Sequence, residues 1–226
     1  MQLYIGNKNY SSWSMRPWVL MTHFAIPFEE IRLTLALEED SDFKRRLARL
    51  APSGLVPLLV DDGFAIWDSL AIVEYLAERF PELPIWPRDV RARARARSLC
   101  AEMHSGFATL RSLWQMNIEA ALQDVGARTF AESSALRRDV ARIESMWREA
   151  LAQSGGPFLM GGFGAVDAFF APVCMRLHSY APSLPDDIAA YVARVSAAPG
   201  VSRWIAEALD EHAFIAFEEP YRTRPT

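Results

Sequence analysis

The first eighty or so residues switch repeatedly between a two-residue and a helical periodicity, and that alternation constrains the fold more than any other feature of the chain. Gln2-Leu3-Tyr4-Ile5-Gly6 alternates and reads as a strand, and the apolar run Trp18-Val19-Leu20-Met21 reads as the body of a helix. Phe28–Leu35 alternates in part, with Ile31, Leu33 and Leu35 set against Arg32 and Thr34, which predicts a second strand. Ser41 caps a helix whose Phe43, Leu47 and Leu50 share one face. After the loop Ala51-Pro52-Ser53-Gly54, Pro57–Val60 and Phe64–Trp67 form a hairpin around Asp62-Gly63. Asp68-Ser69 then opens a helix carrying Leu70, Val73, Leu76 and Ala77 at helical spacing. The order is β-α-β-α-β-β-α. Its strand–helix–strand start requires a parallel pair with a right-handed crossover.

Phe80–Asp89 holds three prolines and no helical period, so it reads as a linker. Beyond it the pattern is helical. Arg91–Arg97 alternates arginine with alanine, both strong helix formers, and the arginines spread around the cylinder as a solvated or interdomain face. This helix is expected to continue through Met103, Phe107, Leu110 and Trp114. A second runs from about Glu132 to Leu151 and stops near Gly155-Gly156-Pro157, a third runs from Gly164 towards His178, and shorter ones follow. The expected division is therefore 1–80, a linker at 81–90, and a helical domain over 91–226.

A formal net charge of −4 does not favour nucleic acid or an anionic membrane surface as partner. Cys100 and Cys174 form no CxxC pair and no metal-ligand spacing, so no metal is expected and a reduced compartment fits. The N-terminus lacks the basic, apolar and small-residue order of a signal peptide. The apolar run Ala165–Leu177 is interrupted by Asp167 and Arg176, too soon for a membrane span. These readings place the chain in the cytoplasm.

The chemistry concentrates in Tyr10-Ser11-Ser12-Trp13-Ser14-Met15-Arg16-Pro17-Trp18, between the first strand and the first helix. Unpaired N–H groups and the positive end of the dipole make a helix N-terminus an anion site. Pro17 is expected within the first turn, where no intrahelical N–H is needed. On this stretch alone, ordinary capping by Ser11, Ser12 or Ser14 accounts for the serines.

With the rest of the chain, the pattern resembles the cytosolic glutathione transferases. Ser11-Ser12-Trp13-Ser14-Met15-Arg16 is similar to the serine motif of zeta- and tau-class members, and Val56-Pro57 to the family's valine–proline step. Asp68-Ser69 is similar to the acidic–serine pair that receives the γ-glutamyl group. The resemblance implies an α/β thioredoxin-like N-terminal domain followed by an all-α domain. It implies glutathione as co-substrate, and a catalytic place for Ser11, with Ser12 second and Ser14 close by. It further implies a cis Val56–Pro57 bond whose preceding backbone meets the cysteinyl part of glutathione. Asp68 would take the ammonium and Ser69 the α-carboxylate. Two positions depart from the family pattern: Leu55 stands where Gln or Lys is common, and Gly164 opens the motif that Asp167 closes.

In that framework a serine hydroxyl and the helix terminus lower the glutathione thiol below its ordinary value near 8.5, for attack on a small electrophile. The electrophile is expected between the domains, against Trp13, His104, Phe107, Arg111 and Trp114, with core packing the favoured role for Met103 and Phe107. A homodimer is implied by resemblance. Two alternatives stand beside the transferase: a zeta-like glutathione-dependent cis–trans isomerase, and a non-catalytic binding protein of the same fold. A thiol-transferase is disfavoured because no cysteine lies near the first helix, and a serine hydrolase because no His–Asp partners accompany the serines.

Overall fold

The computed structural model describes residues 1–181 and 183–224. A four-stranded sheet in the order β2-β1-β3-β4 forms the N-terminal part. β1 (Gln2–Ile5) runs parallel to β2 (Glu29–Arg32), pairing Leu3 with Glu30. It runs antiparallel to β3 (Leu58–Asp61), pairing Leu3 with Leu59, and β3 continues into β4 (Phe64–Trp67). Asp62 and Gly63 both have positive φ, 50° and 82°, as a two-residue hairpin turn demands. The expected strand over Phe28–Leu35 is only four residues long.

The period-two alternation separates the faces of the sheet. Leu3, Ile5, Leu59 and Ile66 pack with α1 (Ser12–His23) and α3 (Ser69–Arg79), while Leu58 packs with Phe43 and Leu47 of α2 (Asp42–Leu50). Ser41 caps α2 as expected, accepting the Lys44 N–H at 3.2 Å.

The linker is not loose. Ile85 and Trp86 are buried, and the Ile85 carbonyl accepts the Ala165 N–H at 3.0 Å. Seven helices follow among the described residues: α4 (Val90–Ser105), α5 (Ala108–Leu113), α6 (Gln123–Glu132), α7 (Ser134–Ser154), α8 (Ala165–Tyr180), α9 (Asp186–Ala197) and α10 (Pro199–Leu209). α8 is buried on nearly every side, which explains its all-round apolar character. Asp167 answers for its own burial by accepting from the Gly164 and Leu159 N–H groups, both at 3.1 Å, and from the Tyr191 hydroxyl at 2.8 Å. So Asp167 reaches back to the helix start as the sequence suggested. α1 lies between α8 and α10, which ties the sheet to the helical part. No helix among the described residues is long and apolar enough to cross a membrane.

Three expectations need correction. The helix expected to run from Arg91 to Trp114 breaks at Gly106-Phe107, where Phe107 adopts a left-handed backbone with φ 56°. The break is held on both sides: Arg111 Nη1 donates to the His104 carbonyl at 3.1 Å, and Asp139 accepts the Leu110 N–H at 3.0 Å. Pro17 sits beyond the first turn of α1, so the Trp13 carbonyl loses its usual intrahelical donor. The helix expected from about Glu132 is preceded by a further one, α6, which accommodates Gly126 in its interior. That glycine is required by a close approach, since a Cβ there would meet the Tyr180 carbonyl oxygen at 1.7 Å.

Candidate functional site

The β1–α1 loop delivers the serines to the edge of a cleft between the sheet and the helical part. Ser11 stands at the N-cap position of α1, yet its side chain caps no helical N–H. Its hydroxyl instead lies 2.8 Å from that of Ser14, which receives the Gly6 N–H at 3.2 Å. Ser12 Oγ accepts a hydrogen bond from Arg176 Nη2 at 3.2 Å. The Ser12 oxygen is thus supported from behind by a charged donor, with its own proton available to another acceptor. The expected capping role therefore goes unused; Ser12 keeps its proton free, whereas the Ser11 hydroxyl donates to Ser14.

Two cavities meet here, sharing Trp13, Leu55 and Val56. The first, of about 340 Å³, is bordered by Ser11, Ser12, Trp13, Arg111, Arg176 and Phe217 among others. The second, of about 330 Å³, includes Val56, Pro57, Asp68 and Ser69 in its wall. The Val56–Pro57 bond is cis, as the resemblance implied. Asp68 caps α3 by accepting from the Leu70 and Ala71 N–H groups, at 2.8 and 3.4 Å, and its other oxygen lies 3.2 Å from His104 Nε2. Its φ of 75° is unusual for a non-glycine residue. Leu55, where the family pattern expects a polar residue, is 58% exposed and forms an apolar rim to both cavities.

Several candidates fall elsewhere. Ser14 is wholly buried behind the loop. His104 is not part of either wall; it lies behind Asp68 and edge-on to Trp13, ring centres 5.1 Å apart. Neither Phe107 nor Trp114 faces the cleft, which corrects the role expected of Trp114 and leaves Phe107 in the core, the role favoured for it. The left-handed turn buries Phe107, and Trp114 stacks on Tyr180 while its Nε1 donates to Thr129 Oγ1 at 2.9 Å. Met103 is core, as expected.

The electrostatics are one-sided. Arg16 is 1% exposed, sandwiched between Trp13 and Phe169 at 4.1 and 4.9 Å, with Nη1 3.4 Å from Ser69 Oγ. Burial, followed by repulsion from Arg176 and Arg111, brings its pKa down to about 9, so it remains charged at neutral pH. Arg176, lowered to about 10 by burial and then by Arg111, donates to the Trp114 and Pro172 carbonyls at 2.8 and 3.1 Å. Among the described residues no carboxylate lies within 4 Å of Arg16, Arg111 or Arg176. Lys44 adds a further cation to the wall of the first cavity, and Glu218 a carboxylate. Sequence reasoning treated Arg176 only as a break in an apolar run; a lone arginine inside a helix otherwise buried all round was the signal for it. Among the described residues no group of three or more His, Cys, Asp or Glu is placed to hold a metal.

A sheet with one parallel and two antiparallel pairings, a cis valine–proline step and a serine-bearing helix terminus define the class. Residues 10–79 match the glutathione S-transferase N-terminal domain model and residues 91–207 the C-terminal domain model. The chain belongs to the glutathione S-transferase family. It is 33% identical over 111 residues to a probable maleylacetoacetate isomerase of Caenorhabditis elegans, covering 49% of this chain and 50% of that protein. It thus spans about half the length of the curated relatives it first matches. A glutathione transferase homolog from Burkholderia, solved with bound glutathione, is 25% identical with a TM-score of 0.64, covering 93% of this chain and 98% of that one. A maleylacetoacetate isomerase from Methylobacterium extorquens, with bound malonate and glutathione, shares the fold at 22% identity, a TM-score of 0.68, and coverage of 95% and 100%.

Proposed function

We propose that this chain is a glutathione transferase that binds reduced glutathione across the two joined cavities and activates its thiol for attack on a small electrophile. The observation that carries the reading is the position of Ser11 and Ser12 at the α1 N-terminus, in the wall of the first cavity and next to Trp13, which both cavities share. Asp68 and Ser69, in the second cavity, take the γ-glutamyl ammonium and α-carboxylate, and the Val56 backbone takes the cysteinyl part. Arg16 lies behind Ser69, buried and without a direct carboxylate partner, which favours an anion at that end. Residues 1–80 act as the glutathione domain and 91–226 as the domain that completes the electrophile cavity, joined by 81–90.

Ser11 donates to the sulfur once its hydroxyl turns from Ser14, to which it donates without ligand, and the helix terminus adds its partial positive charge; Ser12, oriented by Arg176, is the second donor. The thiol proton leaves to solvent. The thiolate then forms a carbon–sulfur bond as the electrophile's leaving group departs or its double bond takes up the electron pair. Support for Ser11 comes from its five-residue spacing to Arg16, as in the serine motif.

Retention on glutathione resin followed by turnover of a generic electrophile tests the reading. The thiolate ultraviolet absorbance of the enzyme–glutathione complex, followed against pH, tests the mechanism. Loss of a hydrogen bond to a charged group costs about 1.5–3 kcal/mol, so Ser11→Ala should raise the bound thiol by roughly one to two pH units. Ser12→Ala should raise it less. A large shift in Ser12→Ala with none in Ser11→Ala would move the role by one residue, and no turnover would leave a binding protein.

A second reading is favoured by Arg111 and Arg176, which border the first cavity without a direct carboxylate partner and outnumber Glu218 there, a balance that suits an anionic electrophile. It is a glutathione-dependent cis–trans isomerase of an unsaturated acid, in keeping with the name of the C. elegans relative. Under this reading the same thiolate adds reversibly to the double bond. Turnover of an unsaturated acid, lost on its methyl ester and weakened in Arg111→Gln, supports it; equal turnover of acid and ester excludes it. Detoxification in the cytoplasm by a homodimer is the setting that the resemblance suggests for the transferase.

A further inference from the structure

The loop that presents the serines is gripped by the far end of the chain. Four consecutive side chains between β1 and α1, all buried, cross to the helical part or to the segment after α10. Asn7 Nδ2 donates to Glu211, whose other oxygen accepts the Lys8 N–H at 2.6 Å. Lys8 Nζ pairs with Glu207 and, at 2.7 Å, with Glu30, over the Trp18 ring at 4.3 Å. Asn9 Oδ1 accepts the Ile118 and Glu119 N–H groups at 2.7 and 2.9 Å. Tyr10, next to Ser11, has its hydroxyl 2.7 Å from Glu219 Oε1 and 3.0 Å from the Ala213 carbonyl; its single proton goes to the carboxylate, the stronger acceptor. Glu219 is itself 4% exposed and fixed by Arg222, which also reaches Glu119 at 3.5 Å.

This density exceeds what joining two domains requires, because α1 already packs between α8 and α10. It falls on the one loop whose exact position decides a hydrogen bond to sulfur. Such a bond weakens steeply with a few tenths of an ångström or with misalignment. The gripping segment also supplies Phe217 and Glu218 to the wall of the first cavity, so whatever occupies that cavity touches the element that holds the serine loop.

We propose that residues 210–222 form a positioning element for thiol activation, in which Glu219, through the Tyr10 hydroxyl, sets where the Ser11 and Ser12 hydroxyls stand. This rests on the thiolate reading above. Glu219 and Tyr10 are positioning residues: neither contacts the sulfur. Because Tyr10 borders the first cavity, the rival role for it is direct donation to sulfur, and the two roles differ in sign. Removing the Glu219 carboxylate releases the phenolic proton. A direct donor would then lower the bound thiol's titration, whereas a lost positioning contact would raise it.

The test is the thiolate absorbance of the full-length enzyme saturated with glutathione, titrated in Tyr10→Phe and Glu219→Ala beside Ser11→Ala and Ser12→Ala. Both positioning variants should raise the bound thiol by on the order of half to one pH unit, about a threefold to tenfold smaller thiolate fraction below its pKa. The glutathione Kd should change less than about twofold, since the γ-glutamyl contacts are untouched. Tyr10→Phe raises the titration under either role and reports only that the hydroxyl matters; Glu219→Gln, which keeps the side chain's shape but weakens its hold on the phenolic proton, preserves the test of sign should Glu219→Ala fold poorly. A lower melting temperature with an unmoved titration in both variants overturns the proposal, leaving a purely structural clamp. A downward shift in Glu219→Ala overturns it in favour of Tyr10 as donor. If the serine variants also leave the titration in place, the thiolate reading fails and the proposal with it; if a serine variant moves it and these two do not, the positioning role alone fails.

Discussion

Asp68 carries three duties on one carboxylate. One oxygen caps α3, the other meets His104 from the helical domain, and the remaining capacity faces the second cavity, where an ammonium would lie. His104 matters through its charge state. Burial lowers its pKa, outweighing the attraction of Asp68, and Arg16 and Arg111 push the same way. A histidine titrating below about 6.5 in the folded protein refuses a proton that the unfolded chain accepts. Stability is therefore unaffected above about pH 6.5 and falls as the pH drops below it. His104→Gln should flatten that fall; what remains is the balance of His23, lowered by its own burial, against the buried Asp167, whose pKa near 6 makes its protonation favour the folded state over the same range. Chemical denaturation of both proteins between about pH 7 and 5 checks this, and parallel curves would detach His104 from the effect.

At the scale of elements, helix identities followed from periodicity and failed where a single residue overrode it. Phe107 in the left-handed region ends the long arginine-rich helix, a break that neither its apolar spacing nor its propensities announce. Gly126 does the reverse, sitting inside α6 although glycine is a poor helix former. Its presence is explained only by the Tyr180 carbonyl pressed against it from α8. Gly126→Ala should therefore destabilise the protein despite the better propensity of alanine. Overpacking of this kind costs about 1–3 kcal/mol, or roughly 2–12 °C in Tm for a chain of this size. A Tm equal to or above wild type by calorimetry would show that α6 can shift freely.

For the whole molecule, Phe64 and Trp67 leave apolar surface exposed along edge strand β4. They are consistent with the homodimer implied by family resemblance. Light scattering at micromolar concentration should return twice the 25.5 kDa chain mass, and a monomer mass would remove that assignment. Both cysteines are free and buried, so reducing agent should not change the result.

Local chemistry along the chain was enough for the β-α-β-α-β-β-α order, the hairpin and the proline-rich connection, whereas the three motifs took their meaning from family resemblance. The local features depend on near neighbours: a period of two or 3.6, a cap, or a turn that needs positive φ. Tertiary structure alone decided which motif residues share a cavity and which do not. Ser14, Phe107 and Trp114 have suitable spacing but turn into the core, while Arg176 crosses from a helix 164 residues away to support Ser12. The grip of Glu211 and Glu219 on the serine loop was equally illegible. A side chain's partner more than two hundred residues away is set by how helices pack, and no local pattern in the sequence carries that distance.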